Sequence, residues 1–189
     1  MGEIKKILFL DIDGVLALST EWGGRFKKQK LWNKLHPDNQ VNYTTDYNKM
    51  DVEFRFDNFN PKAVTVLNEI LELTDAEIVI SSDWRFDCSV EEMQSLFRQY
   101  GVNKVPIDYT PTLEIKDFHA LESDKIKGYG AERALEIKKW LEIHLQVTHW
   151  VAVDDIDMAP YLDNFVHTPR EDEGIKQSGI KEKLISFLI

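Results

Sequence analysis

The chain is poor in cysteine, in long apolar runs and in positive charge, and each shortage excludes something. One cysteine in 189 residues, Cys88, rules out an intramolecular disulfide and fits a reducing compartment. Such a lone thiol is expected to be inert and partly buried. No apolar stretch approaches the roughly 18 residues that a membrane span needs. The opening Met1-Gly2-Glu3-Ile4-Lys5-Lys6 lacks a signal-peptide layout, and Lys6 stands where myristoylation needs Ser or Thr. The expectation is a cytoplasmic protein without a membrane partner. Lys and Arg number 23 against 33 Asp and Glu, a net charge of −10. That balance argues against extended, sequence-blind binding to nucleic acid, which relies on many basic contacts to phosphates. It leaves room for a local basic groove. His36 and His119 lack metal-ligand spacing, and no internal repeat or low-complexity segment occurs. Hydrophobic content of 43% is ordinary, so residues 1–189 are read as one globular domain with a sizeable core.

What the chain does have is apolar strands that end in polar chemistry. Ile7-Leu8-Phe9-Leu10 reads as a strand buried on both faces. It runs into Asp11-Ile12-Asp13-Gly14, two aspartates two residues apart and then a glycine suited to a sharp turn. On extended backbone Asp11 and Asp13 would point the same way and crowd each other. Nearby carboxylates repel unless one takes a proton or a cation sits between them. A second strand, Ala76 to Ile80, ends in Ser81-Ser82-Asp83-Trp84-Arg85. Arg85 has the fork geometry to grip a phosphate with two parallel hydrogen bonds. The same string also reads as a helix N-terminus capped by Ser82 or Asp83, with Trp84 in the core. A third strand, His149 to Val153, ends in Asp154-Asp155-Ile156-Asp157. Hard divalent ions prefer oxygen ligands, so an acidic pair at a strand end is a candidate seat.

Helices are expected between these strands. Asn60-Pro61 is a cap followed by proline at the first helical position, and Val64, Leu67, Ile70 and Leu71 then recur on one face up to Thr74-Asp75. Ser89 and Glu92 have capping-box spacing ahead of Met93, Leu96 and Phe97. A helix from Ala131 to Leu145 is expected to bury Leu135, Trp140, Leu141 and Leu145. Residues 104–107 form a weak edge strand, 164–168 a last strand, and Ile180 to Leu188 a closing helix. Residues 17–60 look irregular and too long for a βα connection, which points to a flap or small cap insertion. Within them Arg25, Lys27, Lys28 and Lys30 interleave with Trp22, Phe26 and Trp32, a mixture that suits phosphates and stacked bases. A second long connection, 108–128, offers Thr110, Thr112, Lys116, Lys125 and Lys127 to a groove. Alternating strands and helices imply a three-layer, Rossmann-like α/β fold, a parallel sheet with helices on both faces.

The Asp-x-Asp-Gly-x-Leu string of residues 11–16 resembles the nucleophile motif of the haloacid dehalogenase (HAD) superfamily, most members of which are Mg²⁺-dependent phosphatases. Ser81-Ser82-x-Trp84-Arg85 and the run Arg133 to Leu141 resemble the HAD branch that accompanies RNA-repair proteins. Asp83 is extra to that pattern, and Ala134 replaces its glycine. The resemblance implies a HAD-like fold, Asp11 as nucleophile and Asp13 as general acid and base. It implies Ser81, with Ser82 second, as the phosphoryl-binding hydroxyl, and Arg133, with Lys127 the alternative, as the basic residue. It makes Asp11, Asp13, Asp154 and Asp155 the Mg²⁺ ligands, Asp13 through its backbone carbonyl. Gly14, Ser82, Arg85 and Lys127 are expected to touch substrate. The expected function is hydrolysis of a phosphomonoester through an aspartyl phosphate, on a nucleotide or nucleic-acid end. A small phosphorylated metabolite is the alternative substrate, and a non-catalytic binding module the alternative class. Oligomeric state is not legible.

Overall fold

The computed structural model describes residues 5–114 and 128–189. Five parallel strands form one sheet: β1 (Lys5–Leu10), β2 (Glu77–Ile80), β3 (Pro106–Tyr109), β4 (Val147–Asp154) and β5 (Phe165–His167). Their spatial order is β3-β2-β1-β4-β5, so the first strand lies at the centre. Pro106 sits on an edge strand, where its missing N–H costs no ladder bond.

Alternation along β1 builds the two halves of the core. Leu8 and Leu10 point to one face, where they meet Ile78, Ile80, Val151 and Val153. That face is covered by α3 (Pro61–Thr74), α4 (Val90–Gln99) and the last helix, α6 (Ile180–Leu188). Ile7 and Phe9 point to the other face, against Ala134, Ile137 and Trp140 of α5 (Tyr129–Ile143). Phe9 meets Trp140 edge-on at 5.3 Å, a geometry worth about 0.5–1.5 kcal/mol beyond burial.

Local signals explain where the helices begin. The Asn60 side chain accepts the N–H groups of Lys62 and Ala63, and Pro61 follows it. Ser89 and Glu92 form both halves of their capping box. In α5 the expected seam needs correction. Leu145 lies outside the helix and is exposed, and Leu135 is only half-buried. The helix is rotated so that Arg133 and Glu136 share its buried face with Ala134, Ile137 and Trp140.

Residues 17–60 are more ordered than their irregular sequence suggests. They contain α1 (Gly24–Leu35) and α2 (Val52–Arg55). Seven of the twelve α1 residues are polar or charged, which erases any clear apolar periodicity. Trp32 of α1 packs with Val41 and Met50 in a small cluster of its own. Distant ties hold this segment together and fasten it to the sheet domain. Lys28 Nζ donates to the carbonyls of Glu53 and Phe56 and to the Tyr100 hydroxyl. Arg55 grips both Glu92 oxygens, and the Tyr47 hydroxyl donates to Asp87. Among the described residues no helix is long and apolar enough to cross a membrane.

Candidate active site

The C-terminal ends of β1, β2 and β4 lie side by side, the edge where open α/β sheets bind ligands. Leu10 pairs with Ile80 on one side and with Val153 on the other. The next residues, Asp11, Ser81 and Asp154, are therefore neighbours. The Asp11 N–H continues the ladder to the Val153 carbonyl at 3.1 Å, and the Ser81 N–H reaches Leu10 at 2.9 Å.

Beyond Ile12 the chain turns back on itself, and Asp13 bridges to Ala17. The N–H groups of Val15, Leu16 and Ala17 all turn back to the Ile12 carbonyl. Asp11 and Asp13 both line the same pocket, as side chains two residues apart on extended backbone would. Asp13 turns toward Trp84, whose indole N–H donates to it at 2.8 Å. The acid that joins Asp11 comes from the other strand end: carboxylate oxygens of Asp11, Asp154 and Asp155 lie within 4.8 Å of one another. Gly14 adopts φ +67°, and the space where its side chain would stand holds the Asp155 carboxylate.

One arginine ties these strand ends together. Arg133 Nη1 donates to Asp11 Oδ1 at 2.8 Å, to Asp154 Oδ2 at 3.1 Å and to the Ser81 carbonyl at 2.9 Å. Its Nη2 donates to Asp83 Oδ1 at 2.9 Å. Burial works against the Arg133 charge, but Asp11, Asp154 and Asp83 more than offset it and hold the guanidinium ionised. Burial and the Asp154 charge push the Asp11 carboxyl well above its ordinary range, against the pull of Arg133 and a hydrogen bond from Ser82. Burial raises Asp154 to about 7 despite Arg133 and the Ile156 N–H. Asp155 is raised by burial. Asp13 is raised by burial too, while the Trp84 N–H and the Arg25 charge oppose the rise.

A pocket of roughly 390 Å³ opens over these groups, lined by Asp11, Asp13, Ser82, Arg133 and Asp155 together with Trp22, Arg25, Asp57, Asp83 and Ile156. Ser82 faces this pocket. Ser81, the first choice by sequence, does not line it, and its buried Oγ has no hydrogen-bond partner among the described residues. Neighbouring positions at a strand end face opposite sides, so the choice between the two serines sets the direction of the hydroxyl. Arg85 also stays out of the pocket. Its Nη2 is bound to Glu136 at 2.6 Å and its Nη1 to the Ser82 carbonyl at 2.9 Å. Lys127, along with Lys116, His119 and Lys125, lies outside the described residues.

Asp157 is exposed and accepts the Ala159 N–H, as a turn residue does. Of the basic-aromatic segment only Trp22 and Arg25 line the pocket; Lys28 is tied up and Trp32 is buried. The sequence reading missed Asp57 and Asp83. Asp57 is buried and accepts the Arg25 N–H at 2.8 Å, which anchors the start of α1 at the pocket. That contact spans 32 residues and leaves no local spacing to read. Asp83 had one signal, its status as the extra residue in the Ser-Ser-x-Trp-Arg string.

Fold and site together define an α/β protein of HAD-like architecture. The family model for the HAD domain in Swiss Army Knife RNA repair proteins matches residues 7–178, and the chain belongs to that family. No individual curated protein and no solved structure gives a significant match. HAD domains point to phosphatase-type chemistry and generally use a divalent metal. The donor set fits one: three close carboxylates, two of them buried, are the hard oxygen ligands such an ion prefers, and their mutual repulsion is what a cation relieves.

Proposed function

We propose that the chain is a Mg²⁺-dependent phosphatase that removes a phosphomonoester from a nucleic-acid end through an aspartyl phosphate on Asp11. The observation that carries this reading is the convergence of Asp11, Asp154 and Arg133 within hydrogen-bond distance, beside Asp155, at one sheet edge.

An Asp11 carboxylate oxygen attacks phosphorus, and the bond to the leaving oxygen breaks. Asp13 gives that oxygen its proton. Its raised carboxyl suits the donor role, and the Trp84 N–H fixes its orientation. Asp13, now ionised, takes a proton from water. The water oxygen attacks phosphorus, the bond to Asp11 breaks, and inorganic phosphate leaves. Arg133 and the Ser82 hydroxyl hold the phosphoryl oxygens and balance their growing charge. Asp11, Asp154, Asp155 and the Asp13 carbonyl would hold Mg²⁺, which when bound shields the phosphate from the anionic nucleophile.

The nucleic-acid end is favoured by the RNA-repair branch of the family and by Trp22 and Arg25 in the pocket wall. A binding module without catalysis would have no need of Asp11, Asp13 and Asp154-Asp155 together. Cys88 is buried and its thiol is pushed up to about 11, which suits an inert cysteine in the cytoplasm. The test is a panel of mononucleotides, 3′- and 5′-phosphorylated oligonucleotides and sugar phosphates, with Mg²⁺ and with chelator. Phosphate release from oligonucleotide ends is expected, dependent on the cation and abolished in Asp11→Asn. Turnover by Asp11→Asn refutes the assigned nucleophile. Turnover of sugar phosphates alone refutes the substrate class.

A further inference from the structure

The pocket is larger than one phosphoryl group requires and falls in the size range of sites that hold whole small molecules. Its lining has two chemically different ends. Asp11, Asp155, Ser82 and Arg133 form the end described above. Trp22 and Arg25 form the other, and backbone pairing locates it. Asp13 bridges to Ala17, whose carbonyl accepts the Trp22 indole N–H, while Arg133 is bound to Asp11. Trp22 therefore stands on the side of Asp13, the group that protonates the departing oxygen.

Both side chains are held yet open. The Trp22 indole N–H donates to the Ala17 carbonyl at 3.0 Å, which uses its one polar atom and fixes the ring. The residue is 43% exposed, whereas tryptophan is highly buried on average. Arg25 contrasts with Arg133, which has four acceptors. Its Nε is 3.8 Å from Asp57 Oδ2, an ion pair without a hydrogen bond, and this Nε has no hydrogen-bond partner among the described residues. Its guanidinium lies over the Phe26 and Tyr43 rings at 5.7 and 5.6 Å. Asp57 holds the Arg25 backbone in place, so the arginine is anchored at its root while its head rests against two aromatic rings.

We infer that Trp22 and Arg25 form the leaving-group subsite, with the indole stacking on the terminal base and the guanidinium binding the phosphodiester that follows it. This rests on the phosphatase reading and narrows it: the substrate is a chain end, with a base and a second phosphate, in preference to a free mononucleotide or a sugar phosphate. Aromatic faces take any base, so the subsite is tolerant of sequence.

The test compares the parent with Trp22→Ala, Trp22→Phe and Arg25→Gln. The substrates are 3′- and 5′-phosphorylated dinucleotides, the matching mononucleotides, and dinucleotides whose terminal residue is abasic. Trp22→Ala is expected to reduce the kcat/KM preference for base-bearing over abasic ends about tenfold, within the range by which alanine weakens base stacking. Trp22→Phe restores most of it, which a merely structural role for the ring would not produce. Arg25→Gln is expected to reduce the preference for dinucleotide over mononucleotide about tenfold, the size of a lost hydrogen bond to a charged group. Unchanged preferences in these variants overturn the subsite while leaving the phosphatase reading intact. If the parent hydrolyses none of the substrates, the phosphatase reading fails. Calorimetric affinity of the phosphorylated dinucleotides for the parent and variants then decides the subsite, and equal affinities overturn it.

Discussion

Replacing Gly14 by alanine tests the geometry of the acid cluster without touching an acid. An added Cβ would stand 2.5 Å from Asp155 Oδ2, 2.7 Å from its Cγ and 2.8 Å from its Cβ, on backbone at φ +67°. Two costs follow. A left-handed non-glycine residue costs about 1–2 kcal/mol. Relieving the overlap adds about 1–3 kcal/mol, as overpacking does elsewhere. A total near 3 kcal/mol corresponds to a Tm loss of about 6–12 °C for a domain of this size. Gly101→Ala is the control: φ is +76°, but nothing lies within 4 Å of the new Cβ. It bears the backbone cost alone and should lose about half as much or less. The overlap also pushes the Asp155 carboxylate away from Asp11 and Asp154, so calorimetric Mn²⁺ or Mg²⁺ affinity should fall about tenfold or more, a change of about 1.4 kcal/mol. Gly101→Ala should leave that affinity unchanged. Equal Tm losses in the two variants, with equal metal affinity, would refute the placement of Asp155 against Gly14.

Trp84→Phe removes the N–H that Asp13 accepts, which frees its carboxyl to rise further. The limb of the pH–rate profile that reports Asp13 should move to higher pH by about one unit; a profile that stays in place argues against Asp13 as the titrating acid. In the metal-free protein the Asp154 carboxyl at about 7 lies above its unfolded value, so the folded state binds the proton more tightly. The stability this contributes is complete below the unfolded pKa and lost as pH rises through about 7. Melting in chelator should therefore show a gain of up to about 2–3 kcal/mol between pH 8 and pH 5, flattened in Asp154→Asn. A flat or falling Tm on acidification contradicts it. Glu136→Ala leaves the buried Arg85 without its 2.6 Å partner and should cost about 3–5 kcal/mol in urea unfolding; a loss below about 1 kcal/mol contradicts the structural role given to that pair.

The parts of the fold legible in the sequence are those governed by local rules. Ile7 to Leu10, the Asn60 cap and the Ser89–Glu92 box each state their structure within a few residues. The two acid-ended strands were equally plain, and pairing rules bring them together. What escaped depends on facts that neighbours in sequence do not carry. The helix α1 lacks an apolar stripe because Trp32 packs into a small cluster assembled from residues 41 to 54. Arg85 reads as a phosphate ligand until Glu136, 51 residues away, takes its charge. Ser81 and Ser82 differ only in which side of the sheet edge they face, and one residue of register decides it. Asp57 offers no motif; its role comes from a helix start 32 positions upstream.

The junction of β1 with β4 has a consequence for how this protein can change. Asp11 and Asp154 are spaced by the ladder itself, because Leu10 is paired with Val153. Strand spacing is a constant of peptide geometry, near 4.8 Å, and no loop sets it. Trp22, Arg25 and Asp57 in the pocket wall belong instead to the excursion between β1 and α3. A lineage can therefore redraw which molecules it processes by editing that excursion, while the seat of the chemistry is inherited untouched with the backbone.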